Sequence, residues 1–192
     1  MKPENGSRKA NDERDYRVRL DDIPDSGLTR AVLGGLELVE AYLPEGEADF
    51  ELLKPIRAEF RLQRQGREVQ VEGRVETRLS VPCDRCLASI EQPVDTKVRL
   101  IFMPQPEVSE GGQLDLGEDD LETEFYGPDH VIDLGAVVVE ELELAVPYRV
   151  LCKEACRGLC PGCGADLNRE ECRCGPKVTD PRLARLKDLK ID

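Results

Sequence analysis

The side chains in this chain with the clearest capacity for chemistry are its eight cysteines. They fall into four short pairs, Cys83-x₂-Cys86, Cys152-x₃-Cys156, Cys160-x₂-Cys163 and Cys172-x-Cys174, with none left over. Six of them share the stretch LCKEACRGLCPGCGADLNREECRCG. Thiolates one to three residues apart on a turn can converge on one cation, and Zn²⁺ takes four of them as a tetrahedron with bonds of about 2.3 Å. Eight cysteines in pairs therefore point to one or two structural zinc ions. Other uses of the thiols stay open. A disulfide framework suits a small secreted chain, but the N-terminus MKPENGSRKANDERDYR is polar and charged, unlike an export signal. A redox dithiol at Cys83 and Cys86 lacks the βαβ context of a thioredoxin-like motif. Iron–sulfur ligation also uses four cysteines, and unmetallated thiols complete the set.

A chain of 192 residues can bury one good core and carry a small metal-held appendage. The longest apolar runs, AVLGGLELV and LGAVVVEELELAV, are too short and too acidic to span a bilayer, so a cytoplasmic protein without membrane contact is expected. Formal net charge is −13. Two filled Cys₄ sites would take it to about −17, because four thiolates around one Zn²⁺ carry two negative charges. Such an acidic protein repels a phosphate backbone. With no Trp, four Phe and four Tyr it also has little to stack bases on. Direct RNA binding is expected to be weak. The tail from Arg149 to Asp192 is locally richer in base, with ten Lys and Arg against seven Asp and Glu, and reads as a solvated face.

The elements that must position these thiols are mostly strands. Residues 1–14 show no apolar periodicity and are expected to be disordered. Tyr16 to Leu20 alternates as a strand, residues 21–27 form a turn, and Leu28 to Val39 is ambiguous between helix and strand, with Gly34-Gly35 arguing against a helix. A strand is expected near Ala48–Leu53. From Val69 to Val81 the odd positions are largely apolar and the even ones polar, the mark of a half-exposed antiparallel strand. Ala58, Phe60 and Leu62 alternate ahead of it, with Gln65-Gly66 as the hairpin, and Val94, Val98, Leu100 and Phe102 alternate after it. The three strands make a meander, and Cys83-x₂-Cys86 sits on the link between the second and third. Residues 104–129 read as an acidic, solvated loop. Asp133 can cap a helix from Ala136 to Ala145, with Leu134, Val138, Leu142 and Ala145 on one face and Pro147 at its end. Leu183, Leu186 and Leu189 predict a short amphipathic C-terminal helix.

Several segments in order, DDIPDSGL, VPCDRCLASIEQPV, EELELAVP, LCKEACRGLCPGCGADLN with CRCG, and DPRLARLKDLK, resemble the bacterial YceD-like proteins, also called large ribosomal RNA subunit accumulation proteins. The resemblance spans roughly residues 16–190. It implies a cytoplasmic α+β domain needed for large-subunit ribosomal RNA to accumulate. It also suggests a partition of the thiols. Cys83, Cys86, Cys152 and Cys156 would form one site, and Cys160, Cys163, Cys172 and Cys174 a self-contained ribbon. The rival arrangement pairs Cys152 and Cys156 with the tail and leaves Cys83 and Cys86 free.

Taken together, the expected fold class is α+β. A β-rich domain at 15–150 would hold an antiparallel meander or barrel-like sheet with one central helix. A Cys-rich, zinc-ribbon-like module with a short terminal helix would follow at 151–192. The expected function is non-enzymatic: a ribosome-biogenesis factor whose partner is a pre-ribosomal large-subunit particle or a basic ribosomal protein. Arg157, Arg169, Arg173, Arg182 and Arg185 are candidate contacts. The lone histidine, His130, has no nucleophile motif beside it, and no Gly-rich phosphate loop is present. The alternatives are a thiol-based redox sensor and a zinc-dependent RNA-processing accessory protein.

Overall fold

The computed structural model describes residues 16–44, 46, 48–105 and 123–175. The N-terminal 1–14, the 106–122 part of the acidic loop and the C-terminal helix expected around Leu183–Leu189, with Arg182 and Arg185, lie outside the described residues. The chain divides into two compact units, one formed by Met1–Val81 with Ile90–Tyr148, the other by Pro82–Ser89 with Arg149–Asp192.

The first unit is a sheet with two helices. Its strands are β1 (Arg17–Arg19), β2 (Leu28–Gly34), β3 (Glu51–Leu52), β4 (Ile56–Gln65), β5 (Glu68–Pro82), β6 (Ser89–Pro104), β7 (Thr123–Tyr126) and β8 (Val131–Asp133). Its helices are α1 (Leu36–Tyr42) and α2 (Leu134–Ala145). The larger sheet runs β2-β4-β5-β6-β7, with β3 pairing β5, and β1 pairs β8 separately. The period-two pattern becomes burial directly. In β4, Ile56, Ala58, Phe60 and Leu62 turn inward and Arg57, Glu59 and Arg61 outward; in β5, Val69, Val71, Val75, Leu79 and Val81 are buried. Phe60 lies opposite Gly73, where a Cβ would overlap its ring and come within 2.6 Å of the Glu59 carbonyl oxygen. The glycine in the strand interior is thus the space the ring occupies. On the outward face Arg74 grips Asp95 through two contacts of 2.6 Å, and Arg78 reaches Glu91 at 3.0 Å.

The architecture differs from expectation in four places. The ambiguous stretch from Leu28 to Val39 is both elements in turn: β2 ends at Gly34, Gly35 is the N-cap, and α1 follows. Among its described residues the first unit therefore has two α-helices where one central helix was expected. The sheet is mixed rather than wholly antiparallel, because β7 pairs β6 in parallel, Ile101 opposite Thr123 through Pro104 opposite Tyr126. That strand lies inside the stretch expected to be loop, held by backbone pairing and by Tyr126, whose hydroxyl donates to Arg67 O at 2.7 Å. The β2-to-β7 path is open among the described residues, in place of the barrel-like closure expected.

Asp133 caps α2 as its position predicts, its side chain accepting from Gly135 N at 3.0 Å and Ala136 N at 3.3 Å. The same carboxylate accepts from the Tyr42 hydroxyl at 2.6 Å, joining α1 to the start of α2. Burial and that carboxylate together raise the Tyr42 phenol well above its ordinary range. The buried face of α2 holds Leu134, Val138 and Leu142 as expected and adds Val137 and Val139, while Ala145, expected on it, is only half-buried. His130 is exposed, with its ring edge-on to Tyr126.

Candidate metal centre

The eight cysteines gather into two clusters, and both lie in the second unit. Cys83, Cys86, Cys152 and Cys156 form one; Cys160, Cys163, Cys172 and Cys174 form the other, with the sulfurs in each within 4.8 Å of one another. None of the eight is in a disulfide. A tetrahedron with bonds of about 2.3 Å has edges of about 3.8 Å. In the first cluster Cys83 to Cys156 is 3.9 Å and Cys86 to Cys152 is 3.6 Å. In the second, Cys160 lies 3.2 Å from Cys172 and 3.9 Å from Cys174, and Cys163 to Cys172 is 3.9 Å. Donor type and number suit a four-coordinate thiophilic cation in both places; the spacing agrees closely in the first cluster, while Cys160 and Cys172 in the second stand closer than a tetrahedral edge.

Each cluster is built on the same kind of turn. Cys83 N donates to Ala88 O at 2.9 Å and Leu87 N to Cys83 O at 2.9 Å; Cys160 N donates to Ala165 O and Gly164 N to Cys160 O, both at 2.8 Å. In each turn the residue after the second cysteine takes a left-handed backbone, φ 60° at Leu87 and 74° at Gly164. Glycine does this freely; leucine does it at a cost. The turn brings amide hydrogens to sulfur, with Gly162 N donating to Cys160 Sγ at 3.4 Å.

The first cluster is closed by a strap. Asp84 N donates to Val150 O at 2.9 Å, and Val150 N donates back to Asp84 Oδ2 at 2.7 Å. Arg85 Nη1 donates to Cys156 O at 2.7 Å, and Leu159 N to Arg85 O at 2.9 Å. Gly158 lets the chain pass: its φ is 73°, and a Cβ there would stand 2.8 Å from Arg85 O. Cys152 N then donates to Cys83 Sγ at 3.4 Å.

Without a cation the sulfurs divide into thiolates and thiols. Burial works against charge at Cys83, but backbone N–H groups of Cys152, Arg85 and Cys86 outweigh it and bring the thiol down to about 6. Cys160 also falls to about 6, drawn by N–H groups of Cys163 and Gly162 and by the Cys172 thiol. Cys152 is pushed up to about 12 by its hydrogen bond with Cys156 and by desolvation. Cys174 rises to about 12 through its bonds with Cys163, Cys172 and Cys160. Four sulfur charges do not accumulate unaided; the protons on Cys152 and Cys174 would have to leave for all four sulfurs to hold a dication.

The match to known proteins covers this same region. A sequence profile of the family described as large ribosomal RNA subunit accumulation protein YceD matches residues 71–190. The chain belongs to the YceD family. It is 26% identical over 157 residues to "Large ribosomal RNA subunit accumulation protein YCED homolog 1, chloroplastic" of Arabidopsis thaliana, an alignment covering 71% of this chain and 49% of that protein. It is also 26% identical over 148 residues to "Uncharacterized protein YlbN" of Bacillus subtilis, covering 74% and 78%. A Mycobacterium tuberculosis protein, also uncharacterised, is 27% identical over 132 residues, covering 68% of this chain and 60% of its own length. The chain thus spans about half the length of the Arabidopsis relative. No solved structure matches it.

Of the candidate contacts that accompany the YceD resemblance, Arg157, Arg169 and Arg173 are exposed, and Arg169 leans on Asp166 at 3.3 Å. Sequence reading missed Arg85, Leu87 and Asn168. Arg85 lies between the two cysteines of one pair, and Asn168 two residues past Asp166 in GADLN, a spacing that favours a side chain turned onto local backbone. No helix among the described residues is long and apolar enough to cross a membrane.

Proposed function

We propose that this protein is a non-enzymatic ribosome-biogenesis factor that supports accumulation and maturation of large-subunit ribosomal RNA, with a structural Zn²⁺ at each Cys₄ cluster. The observation that carries the ribosomal part is the family match over residues 71–190. The metal part rests on two four-sulfur sets with spacing suited to zinc. When bound, the ion supplies a cross-link: it ties the turn at Cys83–Cys86 to the segment at Cys152–Cys156 and closes the ribbon at Cys160–Cys174. Four thiolates fill a tetrahedral ion and leave no position for a hydrolytic water, so the sites support shape rather than turnover. The protein works in the cytoplasm. Its net charge of −13 favours a basic ribosomal protein or a pre-ribosomal particle over naked RNA.

The test is gradient fractionation of cells with and without the gene. The protein should co-sediment with large-subunit precursors, and its loss should lower mature large-subunit RNA relative to small-subunit RNA. Absence from those fractions together with unchanged ribosomal RNA overturns the reading.

A further inference from the structure

Asn168 belongs to the loop between the two ligand pairs of the second cluster, after Cys163 and before Cys172, yet its side chain reaches the first. Its Nδ2 donates to Cys156 Sγ at 3.4 Å and to Asp166 Oδ1 at 2.8 Å, while its Oδ1 accepts from Arg157 N at 2.9 Å. These three contacts fix the orientation of the amide, because the oxygen faces an N–H and the nitrogen faces a carboxylate and a sulfur. Asp166 Oδ1 also accepts from Asn168 N at 2.9 Å, so one carboxylate steadies both ends of the residue. Backbone seats the loop as well: Leu159 bridges Asp166, and Leu167 N donates to Gly158 O at 2.9 Å.

Sulfur bound to a cation still carries charge, and a donor fixed on it stabilises that charge and holds the ligand's direction. Here the donor is mounted on a loop whose far end is Cys172, a member of the other cluster. Opening the second cluster would free that end of the loop, four residues past Asn168.

We propose that Asn168 is a positioning residue for the first cluster, delivered by the loop of the second. Retention of an ion at Cys83, Cys86, Cys152 and Cys156 therefore depends on closure of Cys160, Cys163, Cys172 and Cys174. The inference rests on reading both clusters as metal sites.

The test uses the full chain loaded with cadmium, which gives one cadmium-NMR resonance per site. The resonance absent from the Cys172→Ser/Cys174→Ser chain identifies the second cluster. Asn168→Asp keeps the acceptor for Arg157 N–H, removes the donor shared by Cys156 Sγ and Asp166 Oδ1, and sets a second carboxylate beside Asp166. It should shift the first cluster's resonance, leave the second's in place, and speed loss of the first ion to chelator about tenfold. In the Cys172→Ser/Cys174→Ser background the first ion should already leave about tenfold faster, and Asn168→Asp should add less than about twofold. Should the variant not fold, the unaltered chain decides: limiting chelator that strips the second cluster should shift the first cluster's resonance. A first-cluster resonance and release rate indifferent to Asn168→Asp, or to stripping of the second cluster, overturns the inference. So does a full tenfold effect of Asn168→Asp without the second cluster. Two bound cadmium ions with either result defeat only this inference; a chain that binds none defeats the metal reading itself.

Discussion

In the sheet unit the side chains withdrawn from water are, with Ser80 and the Tyr126 hydroxyl as exceptions, hydrocarbon, among them Ile56, Phe60, Leu62, Val69, Val71, Leu79 and Leu142. In the unit of Pro82–Ser89 and Arg149–Asp192, the buried hydrophobic side chains among the described residues are Cys83, Cys86, Cys156 and Cys160. The first can fold on apolar burial, which needs no cofactor. Among its described residues the second buries little besides cysteine, and small units of that kind depend on metals or cross-links. The thiols thus do for one unit what valine and leucine do for the other.

Removing metal should separate the two most sharply. Apparent free energies of structural zinc in small finger domains are about 10–16 kcal/mol, so chelation should unfold the cysteine unit outright. Hydrogen exchange should then show the amides of Asp84, Cys156 and Leu159 unprotected, with those of Val71 and Val75 still slow. Acid should act in the same direction. Cys83 and Cys160 are held down to about 6, so they are thiolates above that pH and gain protons below it. Affinity should fall throughout acidification, as protons compete at all four sulfurs, and uptake near neutral pH should release fewer than four protons per ion.

The opposite break is Phe60→Ala. Emptying the space beside Gly73 should cost about 3–5 kcal/mol in denaturant unfolding of the sheet unit. Zinc content at low denaturant should stay the same. A smaller effect belongs to Gly158→Ala, which forces a side chain into a left-handed backbone and against Arg85 O. It should cost about 2 kcal/mol, read as faster zinc loss to chelator with sheet stability unchanged. Smallest is Leu87→Gly. Leu87 is 66% exposed at φ 60°, so little burial is lost, and relief of strain should stabilise the first turn by no more than about 1 kcal/mol in zinc competition. Gly164→Leu should do the reverse in the second turn.

The same contrast governs what the sequence discloses. Strands β4, β5 and β6 were legible because side-chain alternation is local, and α2 because Asp133 and Pro147 mark its ends. Ser80 breaks the polar face of β5 by being buried, where β3 pairs with β5 and Glu51 lies opposite Ser80, a neighbour from another segment that no window of sequence discloses. Likewise β7 is four residues, TEFY, set by parallel pairing to β6, and α1 is seven residues behind two glycines that argue against a helix. At the cysteines, spacing disclosed the pairs but not which pair meets which; a family resemblance suggested that grouping. Asn168 escaped notice because its sulfur partner lies twelve residues away on another segment.

Zinc counted per chain by native mass spectrometry tests the central claim most directly. Two ions should be found in the full chain and one after Cys83→Ser with Cys86→Ser. A single ion that those two substitutions leave undisturbed would contradict it.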